Sequence, residues 1–366
     1  MSRSPEFENK LRRVRNLLDE KGLDALLLQN VSSFYWATCG VRADVNLASS
    51  IGVARLLITR DNHYLITNNL EATRYDQDDR IVSQGWELSI SPWYAEQDML
   101  QHLTDGLLLG ADSFHPGAQD LAKEMALLRS SLTVEEQDRM RSLGKLCVQV
   151  IESVVQESKP GMSEFELSAR MVYHAALQDV QAITHIVASD ERITSYRHPL
   201  STHKPVDRLM MLVLCGRKDG LVCSITRLIH FGKMNPVLID ANQKAAWISA
   251  VAFHNTRPGL NWRTAFEALQ QAYVEVGCEN EWTVHHQGGL VGYEPREVFI
   301  RPGFSYPIMV GQAAVWNPSI GSARSMDTFL VCDKGIELVT SSISWPKLQV
   351  EVNGVVYQRP TILEIL

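Results

Sequence analysis

A handful of side chains in this sequence could do chemistry. His198 stands in Arg197-His198-Pro199. An imidazole titrates near neutrality and suits proton transfer; an ordinary loop histidine is the rival reading. His285 and His286 are adjacent. On a strand, neighbouring side chains face opposite sides, so one ring can enter a cavity while the other meets the core. Gln287-Gly288-Gly289 follows. Its glycines either let backbone approach a ligand or make a turn or bulge. The Tyr293 phenol can donate to an oxyanion or accept a hydrogen bond. Glu294 and Glu297 are candidate bases or simply solvated or ion-paired carboxylates. Arg296 offers a planar fork for a carboxylate or for a structural salt bridge. Asn317, between Trp316 and Pro318, is polar in an apolar strand context and needs a ligand or a core network. Cys215 is a small buried residue or, given an activating base, a nucleophile. Arg42 is a site residue or a solvated loop arginine.

These residues need a scaffold. The chain has 366 residues, which suggests two domains. Hydrophobic residues make up 45% and charged residues 21%, the balance of a soluble globular protein. A net charge of −7 argues against a nucleic-acid-binding body. The N-terminal residues show no apolar signal segment, and the longest apolar runs fall short of a membrane span. None of the cysteines forms a Cys-x-x-Cys pair, so reduced thiols in a cytoplasmic protein are expected.

Residues 1–131 read as a small α/β domain. Leu11, Val14, Leu17 and Leu18 recur at helical spacing up to Gly22. Ala25–Leu28 reads as a buried strand, and Arg55–Ile58 with Tyr64–Ile66 as a hairpin. Short strands at Glu87–Ile90 and Leu107–Leu109 alternate with helices near 94–105 and 117–129. In residues 132–366, Thr133 and Glu136 form a capping box for a helix running to about Ser158. Lys159-Pro160-Gly161-Met162-Ser163 then opens a second helix, and Arg257-Pro258-Gly259-Leu260-Asn261 opens another in the same context. The repeated punctuation predicts an internal duplication. Strands follow each helix pair: Ala182–Val187, Leu209–Cys215 and Leu221–Ile229, then Trp282–His286, Ala313–Trp316 and Thr328–Cys332. Asp219-Gly220 turns the first hairpin.

Four segments carry a resemblance to a known family. Gly220-Leu221-Val222-Cys223-Ser224-Ile225-Thr226-Arg227 resembles a Gly-Tyr-x-Ser-Asp-Ile-Thr-Arg strand. His286-Gln287-Gly288-Gly289 resembles His-Gly-x-Gly, Trp316-Asn317-Pro318 resembles Ile-Glu-Pro, and Arg324-Ser325-Met326-Asp327-Thr328 resembles Arg-x-Glu-Asp-Thr. Together they resemble the creatinase, aminopeptidase P and prolidase group. The resemblance implies an α+β protein: a small α/β N-terminal domain, then a pita-bread domain with internal pseudo-twofold duplication. The peptidases of the group hold two metal ions with two Asp, one His and two Glu. Those positions fall on Val213, Ser224, His286, Asn317 and Met326. Val and Met offer no hard donor, so the resemblance implies no metal and no cofactor.

Creatinase works without metal, and likeness to it implies roles for further residues. His198 resembles its acid–base histidine, Arg296 its carboxylate-binding arginine, and Arg42 a loop arginine that reaches a partner subunit's site. Thr226 and Asn317 occupy the positions of glutamates that grip a guanidinium, so creatine is not the expected substrate. The expectation is a metal-independent hydrolase that cleaves a C–N bond in a small carboxylate-bearing substrate. His198, His286, Tyr293 and Asn317 would be catalytic; Arg296, Glu297, Arg42, Thr226 and Gln287 would bind substrate. A homodimer is implied, with neither nucleic acid nor membrane as partner. A non-catalytic peptidase-like binding module and a lyase are the alternatives.

Overall fold

The computed structural model describes residues 4–366. It forms two compact units, Met1–Arg129 and Ser130–Leu366. The first begins with helix α1 (Pro5–Lys21), where the Ser4 hydroxyl accepts the Phe7 N–H at 3.2 Å and Gly22 ends the helix at φ 66°. Strands β1 (Ala25–Asn30), β2 (Ile51–Thr59), β3 (His63–Asn68), β4 (Glu87–Ser91), β5 (Leu109–Ala111) and β6 (Gln119–Asp120) form one sheet in the order β4-β3-β2-β1-β5-β6. Helices α2 (Val31–Ala37), α3 (Ala72–Gln77) and α4 (Glu96–Thr104) lie between strands, and α5 (Ala122–Ser130) follows β6. Leu100 of α4 packs on Leu27, Leu57 and Ile66 of the sheet. The strand expected at Leu107–Leu109 lies two residues later, as β5.

The second unit is built twice over. Helix α6 (Val134–Glu157) starts at the expected capping box: Thr133 Oγ1 accepts from Glu136 N at 3.3 Å and Glu136 Oε2 accepts from Thr133 N at 2.7 Å. Ser163 and Glu166 make a second box at the start of α7 (Glu164–Leu177). A short helix α8 (Glu191–Ser195) follows strand β7 (Gln181–Ser189); β8 (Leu209–Lys218) and β9 (Leu221–Phe231) complete this half. Asp219 and Gly220 turn the β8–β9 hairpin with φ 50° and 80°. In the other half, α9 (Pro236–His254) and α10 (Trp262–Glu275) precede β10 (Gly288–Val291), β11 (Val298–Phe299) and β12 (Ala313–Trp316). Then come β13 (Ser319–Ile320), β14 (Ala323–Arg324), β15 (Asp327–Cys332) and β16 (Gly335–Leu338). Both Pro-Gly openings are anchored alike. Ser163 bridges Pro205 and Asn261 bridges Pro307, each antiparallel. The hairpin β17 (Lys347–Val352) and β18 (Val355–Pro360) covers Ala246 and Ala250 of α9, and β19 (Leu363–Ile365) joins β9 in parallel.

The main sheet runs β11-β10-β12-β15-β9-β8-β7, so the halves meet where β15 lies beside β9. That seam is thin: one residue pair, Asp327 opposite Ile225, defines its ladder. A buried ion cluster fastens it. Asp327 accepts from Arg227 Nη2 at 2.8 Å and from Thr340 Oγ1 at 2.7 Å on one oxygen, and from Arg359 Nη2 at 2.6 Å on the other. All three charged groups are at most 3% exposed.

One expected strand is absent. Trp282–His286 lies in a 3₁₀ turn, Glu281–Val284, and the irregular stretch that follows it and reaches β10 at Gly288. The reason is the Gln287 side chain. Its amide donates to Trp282 O at 3.1 Å and to His285 O at 2.8 Å, satisfying carbonyls that a strand would pair with a neighbour.

Burial would by itself raise the Asp327 pKa, but Arg227, Arg359 and the Thr340 hydroxyl outweigh it and hold the carboxyl below its ordinary value. A depressed carboxylate stabilises the fold above its unfolded pKa of about 4, and that contribution is lost as pH falls through the folded value. Asp327→Asn should therefore cost about 3–5 kcal/mol in urea unfolding at neutral pH, because two guanidiniums lose their counter-ion. It should also flatten the acid side of the stability profile. An unchanged urea midpoint would contradict the clamp.

Candidate functional site

A cavity of about 340 Å³ opens within the second unit. Strand parity supplies its wall: Thr184 and Ile186 from β7, Val213 and Cys215 from β8, and Thr226 from β9. Arg324 at the end of β14, Met326, Asn317 and Arg296 face them, and His198, His285 and His286 complete the lining. No aspartate or glutamate is among the lining residues.

The loop carrying His198 is fixed at both ends by Glu164, the first residue of α7. This carboxylate is fully buried. One oxygen accepts from Ser189 N, Ser189 Oγ and Arg192 Nε at 2.8, 2.9 and 3.1 Å. The other accepts from Thr202 N and Oγ1, each at 2.8 Å. The two neighbouring histidines owe their placement to the Gln287-capped turn. Because they are not on a strand, the alternation rule does not apply. Both rings reach the cavity, with centroids 4.1 Å apart. His285 Nδ1 lies 2.7 Å from His286 O, a carbonyl that can only accept, so the ring proton sits on Nδ1. The bare Nε2 then faces His198 Nε2 at 3.4 Å. His286 Nδ1 is buried without a hydrogen-bond partner.

Two arginines dominate the electrostatics. Arg296 donates to Pro295 O and lies against Met326 Sδ at 3.8 Å, and Arg324 donates to Arg197 O at 2.9 Å. The Nε of each is buried and unpartnered. Among the described residues neither guanidinium is ion-paired with a carboxylate. Burial lowers the pKa of both to about 10, so both stay charged at neutral pH. Burial, reinforced by Arg324, lowers His285 to about 4; burial, reinforced by Arg296, lowers His286 to about 3. His198 is lowered too, by burial and Arg324. The imidazoles are thus neutral beside two cations.

The expected site residues divide. His198, His286, Asn317, Arg296 and Thr226 line the cavity. Asn317 places Nδ2 3.4 Å from His285 Nδ1 and leaves Oδ1 buried without a partner. Four others do not line it: Tyr293, Glu297 and Gln287 are held by protein partners in the second unit, and Arg42 belongs to the first. Tyr293 is 1% exposed and donates to Glu136 Oε1 at 2.6 Å, tying the second half to the capping box of α6. Glu297 accepts from Tyr293 N at 2.8 Å and holds the turn between β10 and β11. Gln287 holds its own turn and accepts from Tyr273 OH at 2.7 Å. The glycines serve strands, not a ligand. A Cβ on Gly288 would stand 2.3 Å from Val315 O, and one on Gly289 2.4 Å from Val298 O. Arg42 belongs to the first unit, where its half-exposed guanidinium pairs with Asp44 at 3.3 Å. Cys215 lies 3.2 Å from Ser224 Oγ, and burial raises its thiol pKa, which suits packing rather than nucleophilic attack. Sequence reasoning missed Arg324. Its signal was its place two residues before Met326, on the same face. A larger cavity of about 550 Å³, between the end of α9 and the β17–β18 hairpin, holds none of the expected residues.

Comparison with known proteins identifies the scaffold. Residues 138–333 match the model of metallopeptidase family M24, and residues 10–144 match the creatinase/prolidase N-terminal domain. The chain belongs to metallopeptidase family M24, with the small N-terminal domain and pita-bread C-terminal domain of that fold. Its structure is similar to the Xaa-Pro dipeptidase from Bacillus anthracis, at 19% identity and TM-score 0.79 over 98% of this chain and 100% of that one. It is also similar to the prolidase from Pyrococcus horikoshii OT3, at 18% identity and TM-score 0.79 over 91% and 98%. The X-Pro aminopeptidase from Thermotoga maritima MSB8 aligns at 16% identity and TM-score 0.74 over 97% and 99%. A sequence search among curated proteins finds no match.

These findings correct the expected function. A metal-independent hydrolase working by histidine acid–base catalysis does not accord with membership of a metallopeptidase family. Nor does it accord with the cavity, where His198, His285 and His286 bring ligand nitrogens within 4.8 Å of one another, close enough to hold an ion. The family's two-ion set itself does not fit. Val213 and Met326 bring no hard donor, and Ser224 is fully buried beside Cys215. No described helix is long and apolar enough to cross a membrane.

If Tyr293 is structural, Tyr293→Phe should lower stability by about 1.5–3 kcal/mol, the worth of a hydrogen bond to a charged group. Ligand binding in the cavity should be unchanged. Weaker binding with unchanged unfolding would return the phenol to the site.

Proposed function

We propose that this protein is a hydrolase of the dipeptidase type, acting on a small peptide-like substrate with a free carboxylate. One observation carries the reading: Arg296 and Arg324 present two desolvated guanidiniums to a histidine-lined cavity that contains no acidic side chain. Buried charges are costly without counter-ions, so the arrangement favours an anionic ligand. A guanidinium binds a carboxylate through paired N–H donors, which fixes orientation as well as affinity. The volume of about 340 Å³ sits at the small end of ligand pockets and suits a dipeptide better than a long chain.

Anchoring the carboxylate at the arginines would set the next peptide bond near the histidines. Asn317 would offer its side-chain amide to the substrate's peptide group, and Thr226 would add a hydroxyl to the wall. An ion bound at the histidines would supply Lewis-acid polarisation of the scissile carbonyl. The fixed positive charge of Arg296 and Arg324 would also favour negative charge developing on the carbonyl oxygen. Family membership and the similarity to proteins named prolidase and Xaa-Pro dipeptidase support the substrate class.

The test is a dipeptide panel including Xaa-Pro members, assayed with and without added divalent metal. Arg296→Met and Arg324→Met should each lower kcat/KM about 10–150-fold, the equivalent of 1.5–3 kcal/mol, mainly through KM. No turnover of any dipeptide under any metal condition would sink the proposal, as would variants with wild-type KM.

A further inference from the structure

We propose that His198, His285 and His286 form a single-ion site for a nitrogen-preferring transition metal of the zinc class, and that its affinity is coupled to the carboxylate bound by Arg296 and Arg324. The proposal deepens the dipeptidase reading, because it assigns a metal to the same cavity.

Geometry carries it. Two nitrogens bound tetrahedrally to one zinc at about 2.0–2.1 Å stand about 3.3–3.4 Å apart. His285 Nε2 and His198 Nε2 are 3.4 Å apart. The third histidine brings all three ligand atoms within 4.8 Å of one another, and ion binding would draw the widest pair in to about 3.4 Å. Histidines that bind metal commonly donate their other N–H to a carbonyl, which fixes ring and tautomer. His285 does this through Nδ1 to His286 O, so its free nitrogen is the one aimed at His198. His286 Nδ1 is a buried nitrogen that lacks a partner, a group that coordination would satisfy. The supports are rigid. Glu164 pins the His198 loop, and the Gln287 amide pins the turn of the other two.

The donor set selects the metal. Three neutral imidazoles without a carboxylate suit zinc, cobalt, nickel or copper rather than magnesium or manganese, which favour oxygen. The same absence creates the coupling. A dication here faces two guanidiniums with no protein carboxylate to offset them, so an anion seated between metal and arginines stabilises both sides. By linkage, metal must tighten carboxylate binding by the factor by which carboxylate tightens metal binding.

The test uses the full chain stripped with EDTA and dialysed. Co²⁺ is titrated while visible absorption is recorded, and Zn²⁺ is titrated by calorimetry. One ion per chain, with the intense bands of four-coordinate cobalt, is expected. His198→Ala and His285→Gln should each weaken binding by at least about 10-fold, with melting curves confirming that the variants fold. Acetate should tighten Co²⁺ binding in the wild type and not in Arg296→Met. A stoichiometry of zero or two, an affinity unmoved in folded His285→Gln, or a preference for Mn²⁺ over Zn²⁺ would overturn the site. The two readings fail separately. One bound ion with no dipeptide turnover would leave the site and remove the dipeptidase. Dipeptide turnover by a protein that binds no ion in either titration would do the reverse.

Discussion

The seam between the two halves of the C-terminal unit depends on one buried carboxylate. Asp327 draws Arg227 of β9 and Arg359 of β18 onto β15, at the point where β9 and β15 share only one ladder pair. Strand alternation then does the rest. Thr226 and Met326, each one residue before a clamp residue, turn the opposite way and line the cavity. Thr226 N donates to Met326 O at 3.2 Å, so the seam and the cavity wall are one piece of backbone. The clamp also reaches Ser325, whose hydroxyl accepts from Arg359 at 3.0 Å between the two cavity residues Arg324 and Met326.

Within that frame, charge sets the cavity's character. A wall that holds Arg296 and Arg324 and no acidic side chain favours an anionic ligand. A site lined by carboxylates holds cations directly. This one carries two uncompensated guanidiniums whose field, added to burial, keeps His285 and His286 unprotonated. Neutral imidazoles are ligands and fixed cations are carboxylate anchors, so one cavity can take a metal and an anion together. Each makes the other easier to bind.

Much of the fold was legible in the sequence for physical reasons. Thr133 with Glu136, and Ser163 and Asn261 as caps, mark helix starts by satisfying free backbone groups, a local signal. The repeated Pro-Gly openings revealed the duplication. The resemblance to the family was strong because Arg227 and Asp327, retained in its motifs, hold the seam, whereas the neighbouring ligand positions at Ser224 and Met326 had changed. The site was less legible because its placement depends on long-range partners. Tyr293 meets a glutamate at position 136, a pairing that no local pattern announces. The Gln287 side chain replaces a strand with a turn, which puts both adjacent histidines on one side and defeats the alternation rule. Likeness to creatinase implied acid–base chemistry at His198 and His286, without His285. Their convergence, together with family membership, points to a metal instead.

The cationic cavity is tested most directly by comparing one dipeptide with its C-terminal amide, using calorimetry on the wild-type protein. The two ligands differ in a single charge and hardly in size. If Arg296 and Arg324 anchor a carboxylate, the acid should bind at least about 10-fold more tightly than the amide, as loss of a charge-assisted pair requires. Equal affinity, or preference for the amide, would contradict the account.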